Sequence, residues 1–386
     1  MHSEAYSMKL SCFIICITGC LTLNSQTTII DSIISGGQYR DYRLYVPTAY
    51  TGDEAVPLLL NLHGYSSDNF GQSLYANFNP IADTAGFITV LPNGTFDGFG
   101  LRFWNCFVAP GIGVDDVAFL SDLIDSISAM YNIDPQRIYS TGMSNGGFMS
   151  YALACELSER IAAIASVTGT IDKDRLSYCA PTHQVPVMHI HGTNDPTVPY
   201  GDNLTFFSVD SVIHYWTAFN HTDEIADFIA VPDVVTTDLC TAEHYIYDNG
   251  WAGSRVEHFK IIGGEHTWPG TAITFLGITN QDINACKEIW LFLSQYRLNE
   301  LTTISPATPE INLNTYPNPA STQLTIQTEI PQPVVTISDA AGNTIYRHQY
   351  TDNSTIQIPV ADWVKGIYVV RIEGDGIVGI SKVVIQ

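Results

Sequence analysis

Basic residues are scarce in this chain. Sixteen Lys and Arg stand against 39 Asp and Glu over 386 residues, for a formal net charge of −23. A protein that binds nucleic acid by neutralising phosphates carries the opposite sign, so that class is excluded. Charged residues of either sign make up only 14% and hydrophobic ones 45%, a balance that buries a core and is unlike that of a disordered chain. Beyond the N-terminal segment, no stretch reaches the roughly 18 uninterrupted apolar residues of a membrane span, and no stable span is expected. Zinc-spaced Cys/His clusters, EF-hand loops and a G-x-G-x-x-G fingerprint are all lacking, so neither a metal nor an organic cofactor is expected. In abundance are Tyr, Phe and Gly, at 20, 17 and 29, which suit strands and turns. The length fits one large domain and a smaller one.

From Met8 the chain reads MKLSCFIICITGCLTLNSQ, with one Lys, an apolar run from Leu10 to Leu23 and a polar step at Asn24, Ser25 and Gln26. This is the pattern of a secretory signal over residues 1–25, cleaved ahead of Gln26. A rival reading takes Ile17-Thr18-Gly19-Cys20 as a lipobox with Cys20 lipidated. Three of the eight cysteines lie in this segment, leaving Cys106, Cys155, Cys179, Cys240 and Cys286. Their odd number allows at most two disulfides. Cys155–Cys179, which flank the strand expected over 162–167, and Cys240–Cys286 are the expected pairs, with Cys106 free, although connectivity does not follow from sequence.

Residues 300–312 (ELTTISPATPEIN) are rich in Thr and Pro without helical or strand period, and read as a linker. Beyond it, over 313–386, Cys and Met are absent and short alternating runs recur: 323–327, 334–337, 355–358, 367–372 and 381–385. Turn signals at Ala341-Gly342-Asn343 and Glu373-Gly374-Asp375-Gly376 separate them. Six or seven such strands make a small β-sandwich. Tyr316-Pro317-Asn318-Pro319-Ala320, Val335-Thr336-Ile337-Ser338-Asp339 with Gly342, Gly366-Ile367-Tyr368-Val369-Val370-Arg371 and Ser381-Lys382-Val383-Val384 occur in that order. In this the module resembles the C-terminal type A sorting domain of the type 9 secretion system. The resemblance implies that the export machinery is a partner.

Residues 26–299 alternate strand and helix patterns. Strands are expected at 39–46, 58–62, 86–91, 137–142, 162–167, 185–191 and 256–262, and helices at 117–131, 145–156 and 283–293. This alternation predicts an α/β fold with a mostly parallel sheet covered on both faces. Chemistry in such sheets sits at the carboxyl ends of the strands. There, Gly142-Met143-Ser144-Asn145-Gly146 forms G-x-S-x-G between a strand and a helix, the setting of a nucleophile elbow. In an α/β-hydrolase an acid and then a histidine follow the serine, each after a later strand. Asp195 follows the strand at 185–191, and His266 follows the strand at 256–262. The predicted catalytic residues are therefore Ser144, Asp195 and His266. The backbone N–H groups of Asn145 and Tyr65 are the predicted oxyanion donors. His63 is read as shaping its turn, His189 and His191 as packing residues, and Asp115 and Asp116 as helix N-terminal partners.

Leu62-His63-Gly64, Leu91-Pro92-Asn93-Gly94, Trp104-Asn105-Cys106, residues 114–119 (VDDVAF), the elbow, His191-Gly192-Thr193-Asn194-Asp195 and residues 266–270 (HTWPG) run in order over this region. In them it resembles the secreted polyhydroxybutyrate depolymerase and feruloyl esterase group, close to carbohydrate esterase family 1. The resemblance implies ester hydrolysis through an acyl-enzyme at Ser144, on polysaccharide-linked feruloyl or acetyl esters or on polyester oligomers. It also implies a pocket that includes Trp104, Trp268 and Tyr65. Glu265 departs from the pattern, where a third glycine is expected. A polysaccharide-binding or adhesive protein on a degenerate hydrolase scaffold is the alternative reading. The tail from Ile311 holds six acids and four bases, so the charge belongs almost wholly to the body. It favours neutral, esterified substrates over acidic polymers.

Overall fold

The computed structural model describes residues 27–107, 111–273, 277–302, 310–328, 330–339, 344–351, 355–374 and 377–386. The expected signal, the alternative lipidation site, most of the expected linker and the expected turn at 341–343 lie outside these residues.

Two sequence patterns produce two kinds of sheet. In the body, apolar runs with no polar face must be buried on both sides. Val56–Leu62 and Ala163–Val167 are such runs. The body strands are β1 (Thr27–Ser35), β2 (Gln38–Val46), β3 (Val56–Leu62), β4 (Ile88–Pro92), a hairpin of β5 (Thr95–Phe96) and β6 (Arg102–Phe103), β7 (Ile133–Met143), β8 (Ala163–Val167), β9 (Val187–Gly192), β10 (Asp227–Ala230), β11 (Thr241–Tyr247) and β12 (Val256–Ile262). All but the hairpin join one ten-stranded sheet in the order β1-β2-β4-β3-β7-β8-β9-β12-β11-β10. Its six central strands, β4 to β12 in that order, run parallel, and two antiparallel strands close each edge.

The helices are α1 (Asn69–Tyr75), α2 (Asn79–Ala85), α3 (Asp116–Met130), α4 (Asn145–Glu156), α5 (Val209–Asn220), α6 (Ala285–Leu293) and α7 (Leu298–Thr302). Strand residues alternate between two cores. Leu58, Leu60 and Leu62 pack with Phe119 of α3, Tyr151 of α4 and Trp216 of α5. Leu59 faces the other core, with Phe78, Ile289 and Trp290. Burying each such side chain stabilises the fold by about 1.5–3 kcal/mol. Asp115 caps α3, its carboxylate accepting from the Ala118 N–H at 2.9 Å, and the buried Asp116 is paired with Arg40 at 2.5 Å. Both are thereby used structurally.

After β3 the chain crosses to β4 on one side, and β7 then pairs with β3 on the other. The loops after β3 and β7 therefore flank a switch point, the place where such sheets bind ligands.

Residues 310–386 alternate apolar and polar positions, as half-buried strands do. Strands β13 (Glu310–Asn312), β14 (Asn314–Tyr316), β15 (Gln323–Gln327), β16 (Val334–Asp339), β17 (Thr344–Gln349), β18 (Thr355–Pro359), β19 (Gly366–Gly374) and β20 (Ile377–Ile385) form sheets ordered β13-β20-β19-β16-β17 and β14-β15-β18. A separate core of Leu324, Ile326, Val335, Ile337, Ile356 and Val370 lies between them.

One expected disulfide is present, Cys155–Cys179. The other is corrected: Cys240 and Cys286 are buried free thiols, as is Cys106.

Candidate active site

Ser144 occupies the turn between β7 and α4, with φ 54° and ψ −119°. Such a conformation costs an L-residue about 1–3 kcal/mol and persists only where its surroundings enforce it. The glycines two residues either side do so. A Cβ on Gly142 would come 2.5 Å from the Gly146 carbonyl carbon, and one on Gly146 would come 2.2 Å from the Leu62 oxygen. The turn is further pinned by the Ser144 N–H, which donates to Val167 O at 2.8 Å. The hydroxyl is left half-buried at the N-terminus of α4, and it makes no cap bond.

Asp195 lies in the turn after β9. Its Oδ1 accepts from the N–H groups of Thr197 (2.8 Å) and Val198 (2.9 Å), and its Oδ2 accepts from His266 Nδ1 at 2.7 Å. Burial pushes the Asp195 pKa up, but hydrogen bonds and charge from His191 and His266 outweigh it and hold the carboxyl well below the usual range. The two loops touch at Gly192, where a Cβ would meet Gly264 O at 2.3 Å.

Glu265, the departure from the expected glycine, ties down the residues after His266. Its N–H donates to Ile278 O and its carboxylate accepts from the Ile278 N–H, both at 3.0 Å. The structure thus joins Asp195 to His266 directly. Among the described residues Ser144 Oγ makes no hydrogen bond to His266.

Both expected oxyanion donors border the elbow. The Asn145 side chain is locked by Trp104, accepting from its N–H at 2.6 Å and donating to its carbonyl at 3.0 Å. Its backbone N–H opens α4, where helix N–H groups lack intrahelical partners. The loop carrying Tyr65 passes beside the elbow: a Cβ on Gly64 would sit 3.5 Å from the Ser144 Cβ. His63, fully buried, shapes this loop. Its Nε2 accepts from the Gly94 N–H at 2.9 Å, so in the neutral ring Nδ1 donates to Gly64 O at 2.8 Å. Burial lowers its pKa to about 4, as expected of a residue that is not the base.

The expected pocket needs correction. Trp104 is fully buried, donating from Nε1 to His63 O at 2.9 Å, and stacks on Phe119. Trp268 is 2% exposed and packs on Tyr75 and Phe78. Both are packed inside the body, without an exposed ring face. Tyr65 alone of the three is at the surface, where its hydroxyl donates to Asp97 Oδ2 at 2.6 Å. The β5–β6 hairpin around Asp97 exposes Phe96, Phe99 and Leu101. This apolar lip is absent from the sequence reading, although the turn Asp97-Gly98-Phe99-Gly100 was its signal.

Fold and site define a protein of the α/β-hydrolase type with a β-sandwich behind it. Residues 40–198 match the esterase PHB depolymerase family and residues 314–386 the secretion system C-terminal sorting domain, and the chain carries both. The first match includes Ser144 and Asp195 and stops short of His266. A bifunctional acetylxylan esterase/xylanase of Neocallimastix patriciarum is 29% identical over 70% of this chain, and the chain spans 36% of that protein. A putative esterase of Nocardia uniformis is 27% identical over 67% of the chain, which spans 80% of it. Feruloyl esterase B of Piromyces equi is 30% identical over 57% of the chain and 41% of its own length. An acetyl xylan esterase from Aspergillus awamori shares the fold, with TM-score 0.50, 13% identity, and coverage of 62% of this chain and 94% of that one. Carrying the sorting domain makes this an exported protein, secreted or held at the cell surface.

Proposed function

We propose that the body through α7 forms a serine esterase and that the module from β13 onward is a sorting domain that the secretion machinery reads. Of the linker expected at 300–312, residues 300–302 belong to α7 and residues 310–312 form β13 against β20. Ser144 attacks the ester carbonyl carbon while His266 Nε2 takes the hydroxyl proton. Because Nδ1 is engaged by Asp195, the neutral ring leaves Nε2 as the acceptor. The N–H groups of Asn145 and Tyr65 receive the oxyanion. The bond to the alcohol then breaks as His266 returns the proton to the leaving oxygen. Water, deprotonated by the same ring, attacks the acyl-enzyme, and Ser144 leaves with the proton as the acid departs. The observation that carries this reading is the strained Ser144 elbow at the end of β7 together with the hydrogen-bonded pair of buried Asp195 and half-buried His266 after later strands of the same sheet.

The substrates are feruloyl or acetyl esters of plant polysaccharide, or hydroxybutyrate oligomers. The names of the matched relatives and the apolar lip beside Tyr65 support this class. A fluorophosphonate probe tests the chemistry. Wild type is expected to label and Ser144→Ala not to, with kcat reduced by about 10³ or more. Equal labelling of both places the nucleophile elsewhere, and labelling of neither leaves a binding protein without turnover; either contradicts the reading. Comparing kcat/KM on methyl ferulate, acetylated xylan and hydroxybutyrate oligomers then ranks the acyl groups, and no turnover of any of the three contradicts the substrate class.

A further inference from the structure

The strand leading to Asp195 carries two histidines that the proposed turnover does not use. His189 and His191 stand two apart on β9, facing the same way, and both are fully buried. His191 Nε2 lies 2.8 Å from Val198 O. A carbonyl only accepts, so Nε2 carries the proton, and in the neutral ring Nδ1 is then an acceptor. His189 Nε2, 3.1 Å away, donates to it, and this leaves His189 Nδ1 to accept from the Tyr151 hydroxyl at 2.8 Å. Burial, reinforced by the neighbouring His191 and His258, keeps the His189 pKa well below the usual imidazole range. His258 takes no part in the ring chain. Its Nδ1 donates to the His189 carbonyl at 3.0 Å, and its Nε2 accepts from the Tyr200 hydroxyl at 2.9 Å.

The same His191 Nε2 lies 3.3 Å from Asp195 Oδ2, the oxygen that accepts from His266. A directed chain therefore runs from Tyr151 through His189 and His191 to Asp195 and meets His266 at one carboxylate oxygen. Two backbone N–H groups hold Oδ1 and His266 Nδ1 holds Oδ2, while the one His191 Nε2–H, directed first at Val198 O, stands 3.3 Å from Oδ2 and is shared with it.

We propose that His191 is a positioning residue whose shared Nε2–H steadies the carboxylate against His266, and which is kept in its donating tautomer by the Val198 carbonyl, with His189 and Tyr151 holding the other side of the ring. This rests on the reading of Ser144, Asp195 and His266 as the catalytic residues. Four variants of the full chain test it on p-nitrophenyl acetate, with thermal unfolding run alongside. His191→Phe keeps a ring and removes the donor, and it is expected to lower kcat about tenfold with KM within about twofold. His191→Gln, which returns an N–H near the Nε2 position, is expected to come within about threefold of wild type. Tyr151→Phe removes only the hydroxyl at the far end of the chain, for an expected loss of about threefold.

A folded His191→Phe with kcat within about twofold of wild type overturns the inference. So does a His191→Gln no faster than His191→Phe. Should His191→Phe not fold, an unchanged kcat in Tyr151→Phe overturns it instead. Ser144→Ala separates the two levels. If it abolishes turnover, those outcomes strike His191 alone, whereas retained turnover removes the catalytic reading itself.

Discussion

The two parts of this chain bury their residues on different terms. The body encloses ionisable groups: His63, His189, His191, His258, Asp116 and Asp195 all lie within it. The described tail buries Val, Ile and Leu, and its one histidine, His348, is exposed. The elbow adds a glycine constraint of its own, although tight glycines are not confined to the body, since a Cβ on Gly374 of the tail would meet Ile330 at 2.7 Å. A Cβ at Gly146 has no room, whereas one at Gly366 meets nothing within 4 Å. The difference follows the proposed division of labour, since strained backbone and buried polar groups cost stability and cluster at functional sites.

Paired glycine substitutions break this comparison most sharply. Gly146→Ala forces the elbow backbone away from Leu62, and a destabilisation of about 3 kcal/mol or more is expected by denaturant unfolding. Gly366→Ala is expected to stay within about 0.5 kcal/mol. Equal effects would remove the contrast.

Acid gives the next effect. His63 titrates near 4 in the folded body, below the 6.5 of an unperturbed imidazole, because burial disfavours its charged form. His258 is lowered to about 3 by burial, although its bond to the His189 carbonyl opposes this. The unfolded state therefore binds more protons, so this stability is complete above pH 6.5 and declines as pH falls toward 4. The His63 displacement alone corresponds to about 3 kcal/mol. Asp195, held low, gives up its share only below the ordinary carboxylate range. Unfolding followed from pH 7 to 4 is expected to show the body weakening before the tail, and the reverse order would contradict the assignment of buried neutral histidines.

The smallest effect concerns coupling. Removing residues 303–386 is expected to leave kcat/KM on a small ester within about twofold, since the tail has its own core. A tenfold loss would make the tail part of the enzyme.

Legibility followed the same division. α4 begins at Asn145 and ends at Glu156, as its pattern foretold, because a glycine-flanked serine between an apolar strand and a helix allows little else. β15 falls at 323–327 for a similar reason, its alternation having one face to bury. Elements near the edges were harder. β1 exposes Ile30 and Ile34 on an antiparallel edge, α1 and α2 are single short helices between loops, and β10 is exposed throughout. None of these has a strong period to read. The tryptophans failed for another reason. Closeness in sequence to a motif does not say which way a ring points, and Trp104 turns inward to bond the His63 carbonyl. The contact of His191 with Asp195 was invisible because it depends on how the turn folds back on its own strand.

Ser144 is proposed to carry the acyl group. Acid-quenching the protein during steady-state turnover of p-nitrophenyl acetate and mapping its peptides by mass tests this directly. An acetyl adduct is expected on the peptide holding Ser144 and is expected to be absent in Ser144→Ala. Turnover with no adduct there, or with the adduct on another residue, would contradict it.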